Sequence, residues 1–206
     1  MTISMSDILC ITNRNLCEEN FLVRVEKIAK AHPKAIILRE KDLNEEDYKT
    51  MAKEVLKICK FYQTPCILHT YVDAALELDW MVIHLPMEIL RGLSKEKREM
   101  FTVLGTSCHS VEEAVEAETL GCTYITAGHI FETDCKKDLP GRGIKFLQAV
   151  CNHVSIPVYA IGGITPQKYG VVQKAGADGV CVMSSLMKCD DPEDFLAAFK
   201  EKYNEI

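Results

Sequence analysis

Eight short apolar segments recur along the chain: ILCIT (8–12), AIILRE (35–40), CILH (66–69), MVIHL (81–85), TVLGTS (102–107), YITAGH (124–129), PVYAIGG (157–163) and GVCVMSS (179–185). Most are continuous rather than alternating, the pattern of strands covered on both faces. Amphipathic stretches run between them. The spacing of Tyr48, Met51, Val55, Ile58 and Cys59 predicts a helix over 44–62. Asn44 is placed to cap it, and Glu45 and Glu46 fall in the first turn, where the helix dipole favours acidic groups. Ser110 and Glu113 have the spacing of a capping box ahead of a helix that Gly121 stops. Thr165-Pro166 opens another, ending at Gly176, and Asp191-Pro192 opens the last. YVDAALELD and PMEILRGL, after the third and fourth apolar runs, are short for helices.

Strand and helix thus alternate without a break in composition, which implies one parallel sheet. The length, 206 residues, allows each of eight units roughly 26 residues and suits an α/β fold, a single (β/α)8 TIM barrel spanning 1–206. A doubly wound open sheet is the competing arrangement, but no Gly-x-Gly-x-x-Gly follows the first strand. No linker, low-complexity segment or solenoid repeat interrupts the chain.

Composition narrows the setting. With 24 Lys+Arg against 30 Asp+Glu the net charge is −6, which argues against nucleic acid as a partner. A hydrophobic fraction of 48 % is too high for disorder, and no apolar run approaches the ~20 residues that span a bilayer. The start, MTISMSDILC, lacks the basic and apolar regions of a secretory signal, so a cytoplasmic protein is expected. None of the 10 cysteines forms a CxxC pair. Cys10, Cys59, Cys66, Cys108 and Cys181 sit in apolar segments, where a reduced thiol acts as a small hydrophobe.

In a barrel, chemistry belongs to the carboxyl ends of the strands. Gly162-Gly163 and Ser184-Ser185 fall after the seventh and eighth, where barrels commonly bind phosphate; a tight turn and ordinary caps would explain them equally. The connection from Ile130 to Gly143, IFETDCKKDLPGRG, is long and polar, and long loops in compact domains are often functional. His129 stands just before it and can exchange a proton near neutral pH, as can His84, although a lone histidine is more often structural. His109 and His153 read as structural or exposed. Arg39 and Lys41 can bind an anion or pair with Glu40 and Asp42, and Cys135 lies in a polar loop. No carboxylate cluster has metal-ligand spacing, so no metal or other cofactor is expected.

Two stretches, GCTYITAGHIFETDCKKDLPGRG and IPVYAIGGITPQKYGVVQKAGADGVCVMSS, resemble the thiamine phosphate synthase/TenI superfamily. AIILREKDL and SCHSVEEAVEAETLG extend the resemblance over nearly the whole chain, and the superfamily fold is a (β/α)8 barrel. IFETDCKK…GRG, with His129 before it, is similar to the TenI branch, the thiazole tautomerases. The resemblance implies that His129 is catalytic, and that phosphate and thiazole contacts map to Thr133, Asp134, Cys135, Gly163, Met183 and Ser184. Arg39, Lys41, Lys136, Gly162, Gly163 and Ser184 match positions shared with the synthases. Other synthase positions are altered. A Gln two residues before the arginine is Ile37, an Asn-Asp pair is His69-Thr70, and HLGQxD reads His84-Leu85-Pro86-Met87-Glu88-Ile89, so that two magnesium ligands are replaced.

The resemblance therefore implies an isomerase that aromatises a carboxylated thiazole phosphate by a 1,3-proton shift, with no cofactor. The alternatives are a thiamine phosphate synthase, and a non-catalytic barrel that binds a thiamine precursor as a regulator. The expected partner is the small-molecule thiazole phosphate, with no nucleic acid and no membrane; a homo-oligomer stays open.

Overall fold

The computed structural model describes residues 7–133 and 139–203. Eight parallel strands follow one another around a closed barrel: β1 (Ile8–Ile11), β2 (Ala35–Leu38), β3 (Cys66–His69), β4 (Val82–Pro86), β5 (Val103–Cys108), β6 (Tyr124–Gly128), β7 (Val158–Ile161) and β8 (Gly179–Val182). The seam is closed by Leu9 opposite Cys181 and Cys10 opposite Val182. Around the sheet lie α1 (Phe21–Lys30), α2 (Glu45–Phe61), α3 (Val72–Glu77), α4 (Met87–Gly92), α5 (Lys95–Glu99), α6 (Val111–Thr119), α7 (Gly143–His153), α8 (Pro166–Lys174), α9 (Ser184–Lys188) and α10 (Pro192–Tyr203). None of these helices is long and apolar enough to cross a membrane.

The continuous apolar runs form strands because both faces are covered. One face meets the helices through Ile8, Cys10, Ile36, Leu38, Leu68 and Val180. The other fills the barrel with Leu9, Ile11, Ile37, Ile67, Tyr124, Tyr159 and Cys181. Glycines at 105 and 179 make room for the two aromatic rings. A Cβ on Gly105 would overlap the Tyr124 ring, and one on Gly179 would lie 2.8 Å from that of Tyr159. The rings meet edge to face at 5.9 Å and plug the amino-terminal half of the barrel.

The helices begin where their caps lie. Asn44 Oδ1 accepts the Asp47 N–H at 2.9 Å, and Asp191 Oδ1 accepts that of Glu193 at 2.7 Å. Ser110 Oγ accepts from Glu113 N–H as the capping-box spacing predicts, but the Glu113 carboxylate reaches one residue further back, to His109 N–H. Tyr48 on α2 donates to Leu38 O and accepts from His69 N–H, at 2.8 and 2.7 Å, tying a helix to two strands. Two features differ from the sequence expectation. The charged segment after α4 forms α5, capped by Ser94. The eighth apolar run, taken to 185, is a strand only to Val182, and Ser184 and Ser185 open a short helix after it. The nine cysteines among the described residues are free thiols.

Candidate active site

A cleft of about 1060 Å³ opens at the carboxyl ends of the strands. Among its described lining residues are three cations, Arg39, Lys41 and Lys168, against one carboxylate, Glu132, so a chain of negative net charge has a cationic mouth.

His129 follows β6 and is buried. The chain beyond it lies against β7: Ile130 N–H donates to Ile161 O at 2.8 Å and Phe131 N–H to Gly162 O at 3.1 Å. This approach explains the glycine pair. Gly162 has φ +100°, and a Cβ there would overlap the His129 side chain and lie 2.8 Å from its Cα. A Cβ on Gly163, at φ +62°, would lie 2.9 Å from Phe131 Cβ. The loop returns through Arg142 N–H to His129 O and Gly143 N–H to Ile130 O, each 2.9 Å. His129 Nε2 is 3.1 Å from Leu139 O. A carbonyl only accepts, so Nε2 carries the proton and, in a neutral ring, Nδ1 keeps its lone pair. The neighbouring His109 Nδ1 donates to Gly128 O at 2.7 Å and lines the same cleft.

At the β7–β8 corner Met187 N–H closes the first turn of α9 onto Met183 O at 2.9 Å. The N–H groups of Ser184 and Ser185 therefore have no acceptor within the helix, and both residues line the cleft. Lys168 Nζ donates to Gly163 O at 3.0 Å and sits 4.5 Å above the Phe131 ring.

Arg39 and Lys41 stand opposite, beyond β2. Arg14 takes the acidic neighbours: it holds Asp42 with two bonds of 2.6 and 2.7 Å and reaches Glu40 at 3.3 Å. Glu40 is buried and also accepts from Thr12 Oγ1 at 2.7 Å. On β3 and β4, His69 and His84 stack with centroids 5.4 Å apart. Both nitrogens of His84 are engaged, by Tyr124 Oη and Ser107 Oγ, each at 2.9 Å. Burial, then Lys41, pushes His84 down to about 3. Burial, His84, Lys41 and Arg39 push His69 down as well, so both imidazoles are neutral.

Residues 8–186 match the TMP-TENI family, described as thiamine monophosphate synthase. The chain belongs to the TMP-TENI family. It is 35% identical over 194 residues to thiamine-phosphate synthase 2 of Streptococcus pneumoniae, covering 91% of this chain and 90% of that one. It is 36% identical over 178 residues to a putative thiamine-phosphate synthase 2 of Aquifex aeolicus, with 86% and 96% covered. Its fold resembles a thiamine phosphate pyrophosphorylase from Pyrococcus furiosus with a TM-score of 0.81 at 28% identity, covering 96% and 95% of the chains.

Within the TMP-TENI barrel, the residues singled out by sequence converge: Arg39, Lys41, His129, Thr133, Gly162, Gly163, Met183 and Ser184 all line the one cleft. Asp134, Cys135 and Lys136 lie outside the described residues. His109, read as structural or exposed, lines the cleft, and Lys168 joins it without having been singled out. Lys168 could have been found from its place in the first turn of a helix opening at the mouth. The synthase magnesium positions do not fit a cation. Thr70 offers a hydroxyl already bonded to His69, Ile89 packs against the core, and no group of three or more ligating side chains gathers among the described residues.

Proposed function

We propose that this TMP-TENI protein is a thiazole tautomerase, an isomerase converting a carboxylated, non-aromatic thiazole phosphate into its aromatic isomer. The single observation that carries the reading is a base-bearing wall, His129, in a cleft whose β3–β4 side presents neutral imidazoles and, among the described residues, no metal-binding carboxylate. A transfer that expels pyrophosphate needs its charge neutralised, usually by a metal; a proton shift within one ring system needs only a positioned acid–base group.

In this reading the phosphate rests at the β7–β8 corner on Gly162, Gly163, Met183 and Ser184, with Lys168 nearby. Thr133 flanks the ring, and the family resemblance adds Asp134, Cys135 and Lys136 as further contacts. His129 Nδ1 takes the proton from a ring carbon, the electrons move into the ring, and the same nitrogen returns the proton to the exocyclic carbon. Atoms and charge balance without any co-reactant. The Leu139 carbonyl stabilises the imidazolium that forms transiently, since Nε2–H stays directed at it. A positioned acid–base group is worth about 10²–10⁴ in rate.

The test is an isomerisation assay followed by ultraviolet absorbance. His129→Asn should abolish turnover while retaining affinity for the aromatic thiazole phosphate. Wild-type turnover in that variant would remove His129 from the mechanism, and binding without turnover in the wild type would favour a precursor-binding regulator. The names of the relatives favour a second reading, thiamine-phosphate synthase. Robust magnesium-dependent coupling of thiazole phosphate to the pyrimidine pyrophosphate would establish it.

A further inference from the structure

The β2–β3 wall carries an arrangement that proton transfer at His129 leaves unexplained. Arg39 is half-buried, lines the cleft, and meets no carboxylate among the described residues, because Arg14 holds both acidic neighbours. A guanidinium in this position is a ready partner for a bound anion.

Thr70 is the second element. Tyr71 N–H donates to His69 O at 2.8 Å, a γ-turn centred on Thr70, whose φ is +71°. A β-branched residue there is a rare and strained outlier that persists only when its surroundings hold it. Two bonds do so: Thr70 N–H donates to His84 O at 3.1 Å, and Thr70 Oγ1 meets His69 Nδ1. In the tautomer in which this hydroxyl donates to Nδ1, the proton of the neutral ring resides on Nε2. Nε2 has no protein partner among the described residues and is not a buried orphan, which leaves it turned to the cleft that His69 lines. His84, occupied at both nitrogens, is the shelf on which the His69 ring lies.

We infer that Arg39 and the Nε2–H of His69 form a second anion subsite, distinct from the β7–β8 corner, that receives the carboxylate of the substrate, with Thr70 as its positioning residue. This deepens the tautomerase reading and rests on it. A carboxylate suits the site because a guanidinium fork and one neutral donor match two oxygens sharing a single charge. His69 supplies a hydrogen bond without adding a further positive charge beside Arg39 and Lys41.

The test compares, by titration calorimetry, the aromatic thiazole phosphate with and without its carboxyl group. The wild type should bind the carboxylated ligand at least about tenfold more tightly, the loss typical of one charge-assisted bond. Arg39→Gln and His69→Phe should each bring that preference close to one while leaving affinity for the uncarboxylated ligand unchanged. Thr70→Val should lower it partway, because its methyl groups cannot hold the ring. Arg39 is only half-buried, so its variant decides the matter even where His69→Phe does not fold. Equal binding of both ligands by the wild type, or an undiminished preference in Arg39→Gln, would overturn the subsite and leave the tautomerase reading standing. A wild type that binds neither ligand would overturn both.

Discussion

Gly162 and Gly121 offer a matched experiment on how the site is built. Both have strongly positive φ, +100° and +90°. A methyl group on Gly121 would meet open space, whereas on Gly162 it would meet His129 Cα at 2.8 Å and Ile130 N at 3.2 Å. Alanine at either position bears the left-handed backbone penalty of about 1–2 kcal/mol. Only Gly162→Ala adds overpacking, about 1–3 kcal/mol, because the atoms in its way, His129 Cβ and Cα and Ile130 N, are backbone or fixed directly to it and cannot rotate aside. Expected losses are therefore about 1–2 kcal/mol for Gly121→Ala and about 2–5 kcal/mol for Gly162→Ala, within the 5–15 kcal/mol stability of typical domains. The relief at Gly162 pushes His129 outward, and on the tautomerase reading a displacement of about 1 Å at this group lowers turnover by about 10²-fold. Urea unfolding gives the stabilities and the isomerisation assay gives kcat. Equal midpoints for the two variants, or wild-type turnover in Gly162→Ala, would refute the view that this glycine exists to seat His129.

Three further outcomes follow from the polar interior. His69 and His84 are neutral in the fold but take up protons in the unfolded chain below about pH 6.5. The unfolded state therefore binds more protons as pH falls from 6.5 toward 5, and stability should drop by about 1–3 kcal/mol per pH unit; a flat urea midpoint over that range would contradict it. Glu40→Ala leaves Thr12 Oγ1 and the Arg14 N–H without their acceptor and should lower stability by about 3 kcal/mol in the same assay. Burial pushes Cys108 and Cys122 up to about 12 and raises Cys10 as well, and a hydrogen bond with Cys59 together with burial raises Cys66, so among the described thiols a thiol-reactive dye under native conditions should label Cys17 and Cys189 first; early labelling of Cys10 would contradict the packing.

The barrel was legible because burial on both faces writes strands as unbroken apolar runs, and because caps such as Asn44 and Asp191 mark where helices start. α5 was not, since KEKREM carries no apolar stripe and is held by a single serine cap. The glycine pair at 162–163 reads from sequence as an anion cradle, but its contact with His129 depends on β6 and β7 lying side by side, a relation that local sequence does not contain. For the same reason the His69–Thr70 pair looked like a mere departure from a family pattern. The bond from Thr70 to His84, the His84 shelf and the capture of Glu40 by Arg14 join residues far apart in the chain.

The Tyr124–Tyr159 plug has a kinetic consequence. With the amino-terminal half of the barrel filled by rings that Gly105 and Gly179 admit, the cleft has one doorway among the described residues. Whatever is made inside must leave by the route its precursor took. Product and substrate then exclude one another, product inhibition is competitive, and turnover at high product concentration is governed by how quickly that single entrance is vacated.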